Sequence, residues 1–191
     1  MLMVYAHPCE GSFAAAVRDA ALGGLAKAGH DIDLCDLYAE GFDPVMSCAE
    51  REGYHNPGFD RAAVQSHIDR LIRAEALVLV SPVWNFGYPA IMKGYLDRVF
   101  LPRVTFSIVD GRVVAGPVRF RRIAAIHTYG APVLAALLAG DPPRRFARRV
   151  LRRLFTPERP VTYLAHYAMN VSTPATRARF LGRVERAMER L

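Results

Sequence analysis

The chain has 191 residues, of which 52% are hydrophobic and 23% charged, and its formal net charge is +7. This length allows one sizeable core but not two comfortable domains, so we expect a single domain over residues 1–191. No apolar run approaches the roughly 18 residues of a membrane span, and the first strand-like segment lacks the basic leader of a signal peptide. Three cysteines without paired spacing indicate a reducing compartment, so we expect a cytoplasmic protein with no integral membrane part.

The first elements are a strand, a helix and a second strand. Met3–Ala6 is the first predicted strand, and Ser12 is placed to cap a helix that runs to about Lys27,. Gly29 is a typical residue after a helix C-terminus. Residues 30–37 alternate polar and apolar side chains, which predicts a strand near the edge of a sheet.

Next, a long loop precedes the most apolar strand. Residues 38–58 are rich in glycine, proline and acidic residues and contain at most a short helix at 48–52. An amphipathic helix is predicted over 59–73, with Ile72 among its inward residues. The run 76–80 is unbroken and apolar, as in a strand buried on both faces, and a helix with proline in its first turn follows over 89–100.

The second half of the chain continues the alternation. Asp110-Gly111 between β-branched residues predicts a hairpin over 105–114, outside the main sheet,. Beyond the hairpin we predict, in order, a strand over 122–127, a helix over 133–139, an arginine-rich helix, a strand over 162–169 and a helix over 174–190.

Much of the positive charge lies in the arginine-rich helix. Its arginines occupy one broad face, and Phe146, Val150, Leu151 and Leu154 occupy the other,. A solvated basic face over a packed stripe is the plain interpretation. Nucleic-acid or anionic-membrane binding and the steering of a phosphate-bearing cofactor stay open as alternatives.

The rhythm of elements predicts an α/β fold: a flavodoxin-like, doubly wound, five-stranded parallel sheet of order 2-1-3-4-5 with a small hairpin excursion. In such a sheet the ligand binds where the order reverses, between the first and third strands. Those strands end in the loops 7–12 and 81–86. The loop 128–131, after the fourth core strand, ends beside them.

These three loops favour a flat ligand with a phosphate. The helix start at Ser12 is suited to an anion, and Ala15 has no side chain to close a capping box over the free N–H groups. The loop 81–89 carries the only tryptophan, and Gly130 allows close backbone approach,. No dinucleotide fingerprint, P-loop, nucleophile elbow or histidine metal-ligand spacing is present. We expect no metal, and a cofactor with its own reactivity.

The motifs resemble a known family. Ala6-His7-Pro8 with Ser12-Phe13, the block Pro82–Gly94 with Asp97-Arg98-Val99, and Thr128-Tyr129-Gly130 resemble the NAD(P)H:quinone oxidoreductases of flavodoxin-like fold. The resemblance implies a flavin, FAD or nearly as well FMN, reduced by NADPH or NADH. A quinone or a similar azo or nitro acceptor would then be reduced in a ping-pong reaction. It also implies a homodimer.

The resemblance further implies which residues bind the flavin. They come from the three loops and are His7, Ser12, Phe13, Ala14, Pro82, Val83, Trp84, Asn85, Phe86, Thr128, Tyr129, Gly130 and Ala131. Ala14 replaces an asparagine of many members, and Trp84-Asn85-Phe86 is closer to azoreductases than to animal quinone reductases. The chain also lacks the long C-terminal extension of the animal enzymes.

Three side chains are candidates for catalysis: Tyr129 and Tyr88 to hydrogen-bond a quinone oxygen, and His166 to donate a proton. The two tyrosines could equally be core or interface residues, and for His166 a packed histidine is the favoured interpretation. Two other functions are weighed against the enzyme. One is a flavin-binding regulatory subunit of a potassium efflux system, and the other is a nucleic-acid-binding module using the helix Arg144–Arg153. We favour the enzyme, with small-molecule partners and no nucleic acid.

Overall fold

The computed structural model describes residues 1–191, and its centre is a five-stranded parallel sheet. The sheet strands are β1 (Leu2–Tyr5), β2 (Asp33–Asp36), β3 (Ala76–Val83), β6 (Arg122–Tyr129) and β7 (Thr162–His166). Their order is β2-β1-β3-β6-β7. This is the predicted order 2-1-3-4-5 once the hairpin strands are left out of the count, so the fold prediction is confirmed.

The hairpin also lies where it is predicted. Strands β4 (Phe106–Val109) and β5 (Arg112–Ala115) pair antiparallel in a separate two-stranded sheet. Asp110 and Gly111 both have positive φ, 49° and 73°, as a tight two-residue hairpin turn requires.

Helices cover both faces of the sheet. They are α1 (Phe13–Lys27), α2 (Cys48–Gly53), α3 (Ala62–Arg73), α4 (Ala90–Val99), α5 (Val133–Leu138), α6 (Pro142–Arg145), α7 (Arg152–Phe155) and α8 (Pro174–Met188). One apolar cluster lies under α3, α4 and the α6–α7 segment, and a second lies under α1 and α8. None of the helices combines the length and the apolar character that crossing a bilayer requires.

The two central strands explain the position of the core. All eight residues of β3 are buried, as are seven of the eight in β6. In β2 the burial is partial, in agreement with its predicted place at the edge. Tyr5 pairs with Val80 across the boundary where the order reverses, so the loops after β1 and β3 leave the sheet side by side.

Three side chains differ from their predicted orientation. Ala63, which is also predicted to face inward from the 59–73 helix, is exposed. Ile72 is 60% exposed because Val64, Ile68 and Leu71 form the buried stripe of α3 and Ile72 lies about 100° away from Leu71,. Val150 is 40% exposed. A π-helical turn over Phe146–Leu151 joins α6 to α7, and its wider spacing rotates Val150 out of the apolar face.

Candidate functional site

A cavity of about 850 Å³ opens at the carboxyl ends of β1, β3 and β6. It is lined by the thirteen side chains that the sequence predicts as cofactor-binding, together with Met169 and Asn170. The three predicted loops therefore converge on one place. The lining contains no aspartate and no glutamate, so nothing in it repels an anionic ligand.

The first wall is the start of α1. Ser12 caps this helix, and its Oγ accepts a hydrogen bond of 3.1 Å from the Ala15 N–H. The N–H groups of Phe13 and Ala14 have no partner within the protein. Free donors at the positive end of a helix dipole bind phosphate groups well.

His7 stands beside this helix start. Its Nδ1 accepts a hydrogen bond of 3.0 Å from the Cys9 N–H, so the neutral ring carries its proton on Nε2 and can donate it. Partial burial lowers the pKa of His7 below its usual value. The ring also lies edge-on to Trp84, with centroids 6.0 Å apart.

The second wall is a tight turn after β3. Trp84 and Gly87 exchange two backbone hydrogen bonds of 3.0 and 2.9 Å, and the residues between them, Asn85 and Phe86, have φ of 49° and 59°. Asparagine tolerates this left-handed conformation, whereas for phenylalanine it is strained by on the order of 1 kcal/mol or more. The N–H groups of both turn residues lack protein partners.

The turn also exposes two aromatic rings at the cavity. The turn leaves Trp84 43% and Phe86 38% exposed, with their rings at the rim. Large aromatic side chains are usually buried, so exposed ones beside unpaired backbone donors offer a stacking surface for a flat ligand.

The third wall follows β6. The N–H groups of Gly130 and Ala131 also lack protein partners, and the side chain of Asn170 lies 3.4 Å from the place where a Cβ on Gly130 would be. The Ala131 carbonyl accepts a 2.9 Å hydrogen bond from Ala168. Ala168 has φ of 58° and turns the chain over the cavity.

Sequence reasoning missed Met169 and Asn170. It extends the last strand through residue 169, whereas β7 ends at His166 and a 3₁₀ turn covers Met169–Val171. The left-handed Ala168 ends the strand early, and alanine gives no sequence signal for that conformation.

Tyr129 is among the residues that line the cavity, but it is almost fully buried and its hydroxyl is occupied elsewhere. It donates to Asp141 Oδ1 at 2.6 Å and lies 2.5 Å from the Tyr163 hydroxyl. Burial, reinforced by these two hydrogen bonds, raises the pKa of Tyr129 far above its usual value. Tyr167 donates to the other Asp141 oxygen at 3.1 Å. Asp141 thus holds a network of three tyrosines behind the cavity.

The other two catalytic candidates lie outside the cavity. Tyr88 is directed to the Pro143 carbonyl at 3.4 Å and lines a separate apolar groove beside α4. His166 lines a second cavity, with its ring against Phe13 and Phe180 at 5.3 and 5.2 Å. The structure does not bring the three candidates together, and their catalytic roles stay predictions that these positions disfavour.

Comparison with known proteins gives a consistent result. Residues 1–156 match the family Flavodoxin_2, described as having the flavodoxin-like fold. An uncharacterized NAD(P)H oxidoreductase of Haemophilus influenzae is 31% identical over 133 residues, which are 69% of this chain and 65% of that protein. Across three curated relatives, the matched region spans 65%, 50% and 42% of their own length.

Solved structures resemble the chain over nearly its whole length. Smu.1420 from Streptococcus mutans UA159 superposes with a TM-score of 0.85 at 25% identity, covering 100% of this chain and 98% of the other. An FMN-dependent NADH-azoreductase from Bacillus anthracis in complex with FMN has a TM-score of 0.80 at 19% identity, covering 99% and 97%. The likeness to the azoreductase concerns the fold alone.

Proposed function

This chain belongs to the Flavodoxin_2 family of flavodoxin-like fold, and from that premise we propose that it is a flavin-dependent NAD(P)H:quinone oxidoreductase. The observation that carries the proposal is the convergence of three loops on one cavity, whose thirteen predicted residues all line it. Relatives named as NAD(P)H oxidoreductases support the same choice.

The residues fit a flavin in three respects. The unpaired N–H groups of Phe13 and Ala14 suit its phosphate,. The unpaired N–H groups of the Trp84–Gly87 turn and of Gly130-Ala131 suit the carbonyl and nitrogen edge of a flat ring system,. The cavity volume of about 850 Å³ is within the range of cofactor sites.

The choice between FAD and FMN depends on a neighbouring cavity. It has a volume of about 450 Å³ and is lined by His166, Arg179 and Arg183 among others. The Phe13–His166 contact joins its wall to that of the main cavity. Because two arginines there would stabilise a second phosphate, we keep FAD as the favoured form and FMN as nearly equal.

A bound flavin would supply two-electron chemistry, by which a hydride from NADPH or NADH and one proton from solvent would convert a quinone to its hydroquinone. The chain's own residues bind and orient. Trp84 and Phe86 offer stacking surface at the rim, and His7, which also lines the cavity, has its Nε2–H available as a hydrogen-bond donor,. Nicotinamide and quinone would use the same face in turn.

A homodimer is part of the proposal. Helix α5 begins directly after the Gly130 loop and exposes Leu134 by 66% and Leu138 by 81%. Apolar side chains exposed in a row beside a cavity are typical of a surface that a second subunit covers. We propose that the second copy covers this helix.

The proposed reaction is tested by steady-state oxidation of NADH and NADPH with a benzoquinone as acceptor, in the presence of FAD or FMN. We expect parallel lines in double-reciprocal plots, as a ping-pong reaction gives. A flavin-loaded protein without turnover would contradict the enzyme and leave the regulatory-subunit alternative.

Trp84→Ala tests the stacking surface within that assay. The loss of one aromatic contact of about 0.5–1.5 kcal/mol predicts a two- to tenfold rise in KM for the acceptor. Val109→Ala is the control, since Val109 is 52% exposed on the hairpin and we expect the parent KM. Equal KM values in all three proteins would show that Trp84 does not contact the acceptor.

A further inference from the structure

Away from the cavity, three potential metal ligands meet between the edge strand and α3. They are the Cys35 thiol on β2, the Glu40 carboxylate in the following loop and the His67 imidazole on α3. Cys35 Sγ lies 3.7 Å from Glu40 Oε2 and 3.6 Å from His67 Nδ1, and those two atoms are 4.0 Å apart. Sulfur, imidazole nitrogen and carboxylate oxygen are the ligand types of zinc.

The three distances match a coordination site. A triangle with sides of 3.6, 3.7 and 4.0 Å has a circumscribed radius of about 2.2 Å, so one point lies about 2.2 Å from all three atoms,. Zinc bonds are roughly 2.0–2.3 Å long. A tetrahedral site would have edges of about 3.3–3.6 Å, which only the nitrogen–oxygen edge exceeds appreciably.

The surroundings fix the ligands in place. Arg70 bonds both oxygens of Glu40 at 2.8 Å and Asp33 at 2.6 Å. The rings of Phe42 and Tyr95 stand perpendicular to the His67 ring at 5.0 and 5.7 Å. Outer contacts of this kind orient metal ligands.

The charges also suit a divalent cation. With Cys35 as thiolate, the anions Cys35, Glu40 and Asp33 exceed the single charge of Arg70 by two. A divalent ion would bring this partly exposed cluster to neutrality, which most reduces the cost of charge on the buried Cys35,.

Tyr95 supplies an independent observation. It is fully buried, and its hydroxyl has no hydrogen-bond partner, although its ring lies against His67. A buried hydroxyl without a partner costs about 1–3 kcal/mol, so such groups mark missing ligands or waters. A metal-bound water within reach of this hydroxyl would give it a hydrogen-bond partner.

We propose that Cys35, Glu40 and His67 bind one zinc ion, with water as the fourth ligand. The ion ties the edge strand β2 and its loop to α3. Glu40 and His67 are partly exposed, whereas Cys35 is fully buried. The ion would therefore enter from the solvent side, where Glu40 and His67 lie. The site is separate from the cofactor cavity, and its function is structural.

Metal binding tests the proposal without any use of activity. The full-length protein is freed of metal with a chelator and titrated with Zn²⁺ and with Co²⁺. We expect one ion per chain and, with Co²⁺, a sulfur-to-cobalt charge-transfer band together with visible bands of tetrahedral cobalt.

Cys35→Ser and His67→Gln should each weaken binding by more than the 10- to 100-fold that outer contacts contribute, and Cys35→Ser should abolish the charge-transfer band. Cys48→Ser is the matched control, because the exposed Cys48 lies 3.6 Å from Glu52 in a similar thiol–carboxylate pair; it should retain the parent binding.

Glu40→Gln changes the most exposed of the three ligands, so it removes a ligand with the least risk to the fold. The circular dichroism of every variant is compared with that of the parent to detect loss of fold. If no stoichiometric ion binds, or if Cys35→Ser binds cobalt with an unchanged spectrum, the proposal is wrong. The thiol would then be only a hydrogen-bonded core residue.

Discussion

Asp141 shows how one residue organises the wall behind the cavity. It is 2% exposed, has φ of 43°, and accepts hydrogen bonds from Tyr129 and Tyr167. Nothing in its sequence surroundings predicts this role, because the partners lie 12 and 26 residues away. Its left-handed backbone turns the chain into α6 and points the carboxylate inward.

Asp141→Asn should therefore destabilise the protein by about 1–3 kcal/mol, since an amide cannot accept from both hydroxyls. Asparagine tolerates positive φ, so the change tests the hydrogen bonds and not the backbone. Asp110→Asn is the control: Asp110 is exposed with φ of 49°, and its change should stay within about 0.5 kcal/mol. Urea unfolding measures both. Equal stability of the two variants would show that the hydrogen bonds of Asp141 do not stabilise the protein.

His127 gives the molecule a dependence on pH. Full burial lowers its pKa from 6.5 to about 4, against the weaker opposing effects of the Ser81 carbonyl and Asp141. The unfolded chain therefore binds a proton between pH 6.5 and 4 that the folded protein does not,. Stability is lost as the pH falls through this window, by about 3 kcal/mol in total.

His127→Phe should remove this part of the acid sensitivity. The difference in unfolding free energy between pH 7 and pH 4.5 is measured by urea denaturation for the parent and the variant. The absolute stability of the variant changes through the lost Ser81 contact, but the pH-dependent loss should be smaller by 2–3 kcal/mol. An identical loss in both proteins would show that His127 titrates normally in the fold.

At the scale of elements, helix packing depends on glycine at one position of α1. A Cβ on Gly24 would lie 2.4 Å from the Glu185 carbonyl of α8, whereas a Cβ on Gly23 would meet nothing within 4 Å. Glycine is a poor helix former, so a Gly-Gly pair on its own would weaken a helix. The structure shows that only one of the two is needed for close approach.

Gly24→Ala should lower stability by about 1–3 kcal/mol, because α8 must move away. Gly23→Ala should raise stability by about 0.5–1 kcal/mol, since alanine favours a helix. Thermal melting of the two proteins checks this pair of opposite signs. Parallel effects of the two changes would contradict close packing between α1 and α8.

Elements also show how far sequence reasoning reaches. Apolar runs and turn residues predict β3, β6, the Asp110-Gly111 hairpin and the Ser12 cap, because these features depend on local chemistry. The predicted orientation of Val150 is wrong because the π-helical turn has no sequence signal. The Cys35–Glu40–His67 cluster is missed because α3 and β2 meet only in the tertiary fold.

At the scale of the whole molecule, the site follows from topology. The strand order reverses between β1 and β3, so the loops that leave these strands side by side lead to helices on opposite faces. The space between them is a cavity that the loop after β6 completes. The thirteen lining residues are implied by the family resemblance, and they lie at or near the carboxyl ends of strands that the sequence also predicts. The segment 169–170 could not be predicted, because a turn in the last loop brings it over the cavity.

The charge of +7 belongs to the same scale. Arg148, Arg149, Arg152 and Arg153 are exposed, as the solvated basic face predicts. A positive surface attracts nicotinamide dinucleotides, which carry phosphates, as well as nucleic acids. The basic helix by itself therefore does not decide between a dinucleotide and a nucleic acid as the partner. A test for bound flavin would decide between them.

The absorbance spectrum of the purified protein, with any released flavin identified by its mass, is the measurement that tests the account most directly. We predict the bands of an oxidised flavin and one FAD or FMN per chain, or uptake to that ratio when the flavin is supplied. A colourless protein that takes up neither FAD nor FMN would contradict the proposed function, whatever its fold.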